Sequence, residues 1–271
     1  MPAATSGRRT AWWVACLLGA VVSVVVAPAG PVWAARTTTA PTTTVAATVE
    51  PRPAVTGHRV IGRSVRGRPI HAWRLGEEGK TRVVLISTMH GNEPHTRDIL
   101  RSLRDGAPIT GIDLWVIPTY NPDGIARRSR RNARGVDLNR NFPHQWVDLD
   151  GNYESGRGPA SEPETRAVME FLEEIDPRRV ISFHQPLHGV DVDTKEPRFA
   201  RRLARELRLP RRSLDCGGLC HGTMTMWFNH HFGGSALTVE YGARPSRHRM
   251  RVEAPRQVLR VLGARRQRSA A

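Results

Sequence analysis

Three predominantly apolar runs of strand length, Thr81 to Met89, Ile112 to Thr119 and Ser235 to Tyr241, constrain this chain more than any other feature. A strand without polar alternation has no face to give to water, so such strands belong inside a sheet covered on both sides. Segments with helical spacing alternate with them: Glu93 to Arg104, Ser161 to about Glu174, Arg198 to Leu207, His221 to His231, and Arg251 to Leu262. Val180 to Phe183 reads as another strand, and His58 to Val65 with Pro69 to Leu75 as a hairpin around Arg66-Gly67. Asn121-Pro122-Asp123-Gly124 reads as a turn, and Ser161 as the cap of the helix that follows it. The pattern predicts an α/β fold: one domain with a mixed, mostly parallel twisted β-sheet flanked by helices on both faces. Functional groups then belong at strand ends and in the loops beyond them.

Not all 271 residues enter that domain. Arg8 and Arg9 precede an apolar run from Ala11 to Ala27, and Val32-Trp33-Ala34 followed by Ala35 resembles a small-residue cleavage site. Residues 1–34 are therefore expected to be a signal peptide that exports the protein by the general secretory route. The run is short for a membrane span of about 20 residues, so an uncleaved anchor is the less favoured reading. Residues 35–56, rich in Thr, Pro and Ala, have the composition of a linker that buries no core. The folded domain is expected over 57–271.

The formal net charge is +16, and 39 of the 41 basic residues are Arg. They run from Arg8 to Arg268 interleaved with acids, whereas a nucleic-acid reader clusters them on one element. No nucleic-acid partner is expected. Electrostatic association with an anionic cell wall is compatible with such a surface.

His90 and Glu93 stand just past the first apolar run, with Gly91 between them to let the backbone bend. Imidazole nitrogen and carboxylate oxygen are zinc donors, and a hydrolytic zinc site takes three protein ligands plus water. His184, at the end of its own strand, is the candidate third ligand, with His188 as a competitor. Glu240 lies on an apolar strand, where a carboxylate without a role or partner is costly. In an exported chain Cys216 and Cys220 most simply form a small disulfide; a second metal site made with His221 is the weaker alternative.

The segment Arg130 to Pro143 (RRNARGVDLNRNFP) resembles the zinc carboxypeptidases of the carboxypeptidase A superfamily, peptidase family M14. His90 to Glu93 is similar to that family's first zinc motif, and Asn121 to Gly124 to its Asn-Pro-Asp-Gly turn. Ser161 to Thr165 resembles its Ser-Glu-Pro-Glu segment, Ser182 to Pro186 its last ligand, and Thr238-Val239-Glu240 its catalytic strand. These blocks occur in family order over most of residues 57–245. Within the family the bacterial murein peptide amidase branch fits best, on the hairpin Gly62 to Ile70 and on Gly135 to Pro143.

The resemblance implies a catalytic domain over 57–271 with one Zn²⁺ held by His90, Glu93 and His184. Glu240 would move the proton between water and the leaving amine, and Arg130 would stabilise the oxyanion, with Arg131 and Arg134 as neighbouring alternatives. Asn139 and Arg140 would grip the substrate's carboxylate. Asp137 is expected to orient the loop or a ligand His rather than bind metal. The implied substrate is a peptide or murein peptide cut between γ-D-glutamate and diaminopimelate, and a monomer is expected. Two other readings stand beside this: a related zinc deacylase of N-acyl amino acids, and a non-catalytic wall- or polyanion-binding protein. One departure is plain. The digestive carboxypeptidases carry a Tyr on a mobile loop between the last ligand and the catalytic Glu, and no Tyr occurs here between His184 and Glu240; Tyr241 is expected to face the other way.

Overall fold

A computed structural model describes residues 52–214 and 216–267. The expected signal peptide, and the linker up to residue 51, lie outside the described residues. In chain order come β1 (Val55–Arg63), β2 (Pro69–Gly76), β3 (Arg82–Ser87), α1 (Arg97–Arg104), β4 (Ile109–Thr110), β5 (Asp113–Ile117) and α2 (Pro122–Arg127). After a long loop follow α3 (Pro163–Ile175), β6 (Arg179–His184), β7 (Leu187–Asp191), α4 (Pro197–Leu207), β8 (Arg211–Arg212), α5 (Met224–His231), β9 (Ser235–Gly242), α6 (Ala254–Val261) and β10 (Arg265–Arg266). Eight strands form one sheet in the order β1-β2-β5-β3-β6-β9-β7-β8, while β4 and β10 pair separately. The centre, β5-β3-β6-β9, is parallel; the β1–β2 hairpin and β7 join it antiparallel from opposite sides. The mixed, helix-flanked sheet agrees with the expectation.

Alternation along the central strands makes two cores. Leu85, Ile181, Phe183, Leu237, Val239 and Tyr241 face α1, α4 and α6. Val84, Ile86, Val180 and Ala236 face α3, α5 and the long loop. Tyr241 is 1% exposed in the first core, on the face expected for it. On the second face the apolar pattern stops short of the strands' carboxyl ends, where Ser182, His184, Thr238 and Glu240 follow Val180 and Ala236. One face of the sheet stays hydrophobic to its edge, and the other turns polar there.

Several local expectations are corrected. Asn121 to Gly124 is the start of α2: the Asn121 side-chain oxygen accepts from Gly124 N at 2.8 Å, and Pro122, which has no N–H to lose, opens the helix. Ser161 does not cap α3. Its hydroxyl donates to Glu162 Oε1 at 2.9 Å, and Glu162 takes the cap position without a side-chain cap bond. The segment from Glu93 becomes helical only at Arg97, because Glu93 N turns back to His90 O. The segment from His221 becomes helical only at Met224, where Thr223 accepts from Met226 N. β1 starts at Val55 and Ala54 is buried, so the fold begins slightly inside the segment expected to be linker. β7 and β8 were not foreseen; neither has the apolar run that marks the central strands.

The hairpin and α2 are tied together by buried Asp123, which accepts from Arg66 N and pairs with Arg68. The chain after β3 then lies directly on α2. A methyl group added at Gly91 would sit 1.9 Å from the Gly124 carbonyl carbon and 2.3 Å from Ile125 N. Both are backbone atoms, so the chain itself would have to move. Gly91→Ala is expected to cost about 2–3 kcal/mol or more of unfolding free energy in urea titration. A loss below about 0.5 kcal/mol would show that this close approach is not a constraint.

Candidate metal centre and active site

Parallel register brings the polar strand ends to one edge. His184 pairs with Glu240, and Ser87, the last residue of β3, pairs with Phe183, so the chain leaving β3 delivers His90 and Glu93 beside His184. His90, Glu93 and His184 are all buried, and one donor atom from each lies within 4.8 Å of the others. His90 Nδ1 is 2.7 Å from Glu93 Oε1, His184 Nδ1 is 3.0 Å from Glu93 Oε2, and the two Nδ1 atoms face each other at 3.3 Å. The far nitrogens are engaged elsewhere: His90 Nε2 lies 2.9 Å from Asp137 Oδ1, and His184 Nε2 lies 2.8 Å from Ser182 Oγ.

These contacts test the fit of a metal. Both ring nitrogens of His90 face carboxylates, which only accept, so a cation bound at Nδ1 requires the single proton of the neutral ring to sit on Nε2 toward Asp137, leaving Nδ1 its lone pair. That lone pair, a second imidazole nitrogen and a carboxylate then converge on one point, an arrangement that repels itself unless a cation stands there. Two imidazoles and one carboxylate are a zinc donor set. Without the cation a proton takes its place. Burial alone would push the His90 imidazolium down, but Glu93 and Asp137 outweigh it and raise His90 to about 9. Burial would raise Glu93, but His90 and His184 outweigh it and hold the carboxyl at about 2.

Asp137 is fully buried and joins the centre to the long loop. Besides His90, it accepts from Asn139 N at 2.9 Å and from Arg130 Nε at 2.9 Å. Burial works against its charge, yet His90 and then Arg130 hold its carboxyl below the usual carboxylate range. Arg130 Nη1 is turned toward the triad, 3.3 Å from His90 Nδ1 and 3.7 Å from Glu93 Oε1. Arg131 instead donates to Gly151 O, and Arg134 pairs with Glu162, so neither alternative takes the place beside the triad. His188 is exposed on β7, away from the ligand cluster. Cys216 and Cys220 are disulfide-bonded, which removes their thiolates from any second metal site.

A cleft of about 630 Å³ opens over the triad and is lined by Arg130, Asn139, Arg140, Tyr153 and Glu240. Arg140 is 2% exposed; it donates through Nη1 to Asn139 O, and its Nε has no partner. It forms no ion pair among the described residues, and burial lowers its pKa. A buried guanidinium with no ion-pair partner in contact, supported only by the more distant charge of Asp137 and by the Tyr153 ring, is an expensive feature that an anionic ligand would satisfy. Asn139 fixes its oxygen on Met224 N at 3.1 Å, which leaves its amide N–H groups for a ligand. Tyr153 was missed by the sequence reading. Its ring lies under both Arg140, at 4.7 Å, and Arg130, at 5.5 Å, and the only sequence signal was a lone Tyr in a polar loop. Glu240 accepts from Leu187 N at 3.1 Å. Burial raises its pKa, the charge of His184 opposes this, and the charge of Glu93 adds to it.

The zinc carboxypeptidase family profile matches residues 43–189, more than half of the chain, and the chain belongs to that family. Among its relatives, murein peptide amidase A of Escherichia coli K12 is 32% identical over 169 residues, which is 57% of this chain and 69% of that protein. The crystal structure of the murein-tripeptide amidase of Escherichia coli O157 superposes with a TM-score of 0.63 at 26% identity, covering 76% of this chain and 92% of that one. Carboxypeptidase A of Helicoverpa armigera shares the fold at 18% identity, with a TM-score of 0.64 over 78% of this chain and 68% of that one. The profile match ends before Glu240, whose place therefore rests on the pairing of β6 with β9.

Two outcomes follow from this geometry. Asp137→Asn keeps an oxygen for His90 but loses the charge, and zinc affinity measured by chelator competition is expected to fall roughly 10- to 100-fold; a change within twofold would mean Asp137 does not tune the centre. For Glu240, a folded pKa above the ordinary 4.5 means that the native state binds more protons than the unfolded one. Stability of the metal-free protein then falls as pH rises past that value, a loss that Glu240→Gln cannot show. The variant is expected to melt higher than wild type at pH 7 and to lose that advantage near pH 4. An equal difference at both pH values would contradict the buried-charge account.

Proposed function

We propose that this protein is an exported, zinc-dependent hydrolase of carboxypeptidase type that cuts a peptide or amide bond next to a free carboxylate. Murein peptides are its substrate class, and the bond between γ-D-glutamate and diaminopimelate is the one cut. The observation that carries the reading is the buried, unpaired Arg140 guanidinium in the same cleft as the convergent His90, Glu93 and His184. The names of the Escherichia coli relatives support the substrate class. Export is supported by the paired Arg8-Arg9 and the apolar run to Ala27, which precede the folded domain.

His90, Glu93 and His184 are the residues that would hold zinc. When bound, zinc supplies Lewis-acid chemistry, polarising a carbonyl and acidifying water. Arg140 and the Asn139 amide orient the substrate's carboxylate, since a guanidinium fork matches it in two-pronged geometry. Glu240 takes the proton of the attacking water and returns it to the departing amine, a role worth roughly 10²- to 10⁴-fold. Its raised pKa suits that exchange better than an ordinary carboxylate would. Arg130, braced by Asp137 and the Tyr153 ring, donates to the oxygen that gains charge as the carbonyl is attacked, for about 3–4 kcal/mol.

The test compares purified, zinc-loaded protein on wall tripeptide, on linear peptides with a free C-terminus and on N-acyl amino acids. Hydrolysis of the tripeptide, lost by at least about a hundredfold in Glu240→Gln while zinc is retained, is the expected result. Cleavage of N-acyl amino acids alone would favour a deacylase, and unchanged function in Glu240→Gln without bound zinc would favour a binding protein. Cell fractionation that leaves the protein in the cytoplasm would overturn export.

A further inference from the structure

Basic residues that are interleaved with acids along the chain are gathered in space at the edge of the sheet opposite the cleft. The cleft lies at the carboxyl ends of β6 and β9, whereas Arg82 and Arg179 open β3 and β6 at their amino ends. Arg179 and His184 stand at the two ends of β6, about 16 Å apart along the strand. Beside Arg179 a groove of about 760 Å³ is lined by Lys195, Arg198, Arg201 and Arg202, with Glu196 as the acid among its lining residues. Glu196 is already engaged, accepting from Arg178 Nη2 at 2.7 Å and from Arg179 Nε at 2.6 Å. The buried Phe199 ring also lines the groove and holds two of the guanidiniums, Arg179 at 4.5 Å and Arg202 at 5.7 Å.

The basic surface continues along α4. That helix buries Phe199, Ala200, Leu203, Ala204 and Leu207, so Arg198, Arg201, Arg202 and Arg205 fall together on its exposed side, three or four residues apart. Like charges at that spacing repel and weaken a helix. The acid of the same helix, Glu206, pairs with Arg260 of α6 at 2.6 Å, and none of the four arginines forms an ion pair among the described residues. On the other face of the sheet, α3 turns Glu170 to solvent only in part but exposes Glu173 and Glu174 on the same turn. The two helices thus give the two faces opposite charge. Guanidinium forks match phosphate oxygens in two-pronged geometry. α4 exposes no aromatic ring, so the bases of a single-stranded nucleic acid would find no stacking platform on it.

We propose that the exposed face of α4 from Arg198 to Arg205, with the Arg179 groove at its start, is a docking surface for an anionic cell-wall polymer whose backbone carries phosphodiester groups. The inference rests on the export reading above and not on the hydrolase reading: outside the cytoplasm the polyanion at hand is wall polymer. A flexible polymer brings successive phosphates to successive guanidiniums, and the counterions it releases make the association salt-dependent. With the polymer at one edge of the sheet and the cleft at the other, the protein is held at the wall while its cleft stays open.

The test measures binding of the purified protein to soluble poly(glycerol phosphate) over a series of salt concentrations. Wild type is compared with the α4 variant Arg198→Gln/Arg201→Gln/Arg202→Gln/Arg205→Gln and with the same four positions changed to Lys. A charge-matched control removes four exposed arginines elsewhere, Arg128→Gln/Arg157→Gln/Arg244→Gln/Arg247→Gln. In the α4 Gln variant, affinity at about 50 mM salt is expected to fall at least about thirtyfold, and the slope of log affinity against log salt to shrink by roughly 2–3, as for the loss of four phosphate contacts. The Lys variant keeps the charge and is expected to keep most of that slope, while the control loses less than about threefold. Relieved of repulsion along α4, the Gln variant is expected to melt no lower than wild type, so that its lost binding reads the surface and not unfolding. An equal loss in the control overturns the inference, because the attraction then belongs to the net charge of +16 and not to α4. Tighter binding of single-stranded DNA with the same number of phosphates, through the same arginines, overturns it in favour of a nucleic-acid partner. Retention of the protein in the cytoplasm overturns export and the wall partner together, whereas α4 and control variants that behave alike in an exported protein overturn this inference alone.

Discussion

The buried carboxylate of Asp137 is the contact on which the rest of the site depends. It fixes the far nitrogen of His90, so the near nitrogen is free to face Glu93 and His184. It also holds the Asn139 backbone and the Arg130 guanidinium. One side chain therefore couples a sheet edge to a loop that lies far from it in sequence. An acid at zero exposure is tolerable only because these donors surround it. The orientation of the centre and that of the loop consequently stand or fall together.

The sheet provides the frame for this. Parallel pairing of β3, β6 and β9 ends three strands at the same edge, and strand alternation there separates a hydrophobic face from a polar one. Side chains on rigid, hydrogen-bonded strands are held more precisely than side chains on free loops. The antiparallel addition of β7 on the far side of β9 then builds the other wall of the cleft, with Asp191 one row behind Glu240. Charge is distributed accordingly: a basic chain encloses a cleft in which Arg140, Glu240 and Asp191 are buried without ion-pair partners among the described residues. Such unpaired groups reduce stability and are explained by a ligand that completes them.

Much of this was legible in the residues, for identifiable reasons. The central strands are apolar through most of their length and turn polar on one face only near their ends, so burial on both sides and parallel pairing were expected from the sequence. His90, Glu93, His184 and Glu240 stand at or near strand ends, and the opposite facing of Tyr241 is a matter of counting by two. The parts that were not legible lack such local signals. β7, with Leu187, His188 and Gly189, does not look like a strand, and its pairing with β9 is a long-range event. Asp191 consequently had no face assigned to it. Tyr153 sits in a loop whose path is set by distant partners such as Asp137 N donating to Glu154 O. Proline and asparagine were recognised in Asn121-Pro122-Asp123-Gly124, but the same pair that makes a turn also starts a helix, and only the following residues packing in place decide between them.

The central claim is that two imidazoles and one carboxylate meet on a single zinc ion. X-ray absorption at the zinc edge of the loaded protein tests it most directly. The account predicts nitrogen and oxygen scatterers at about 2.0–2.2 Å, with the multiple-scattering signature of two histidines. Sulfur at about 2.3 Å, or the signature of fewer than two imidazoles, would contradict it.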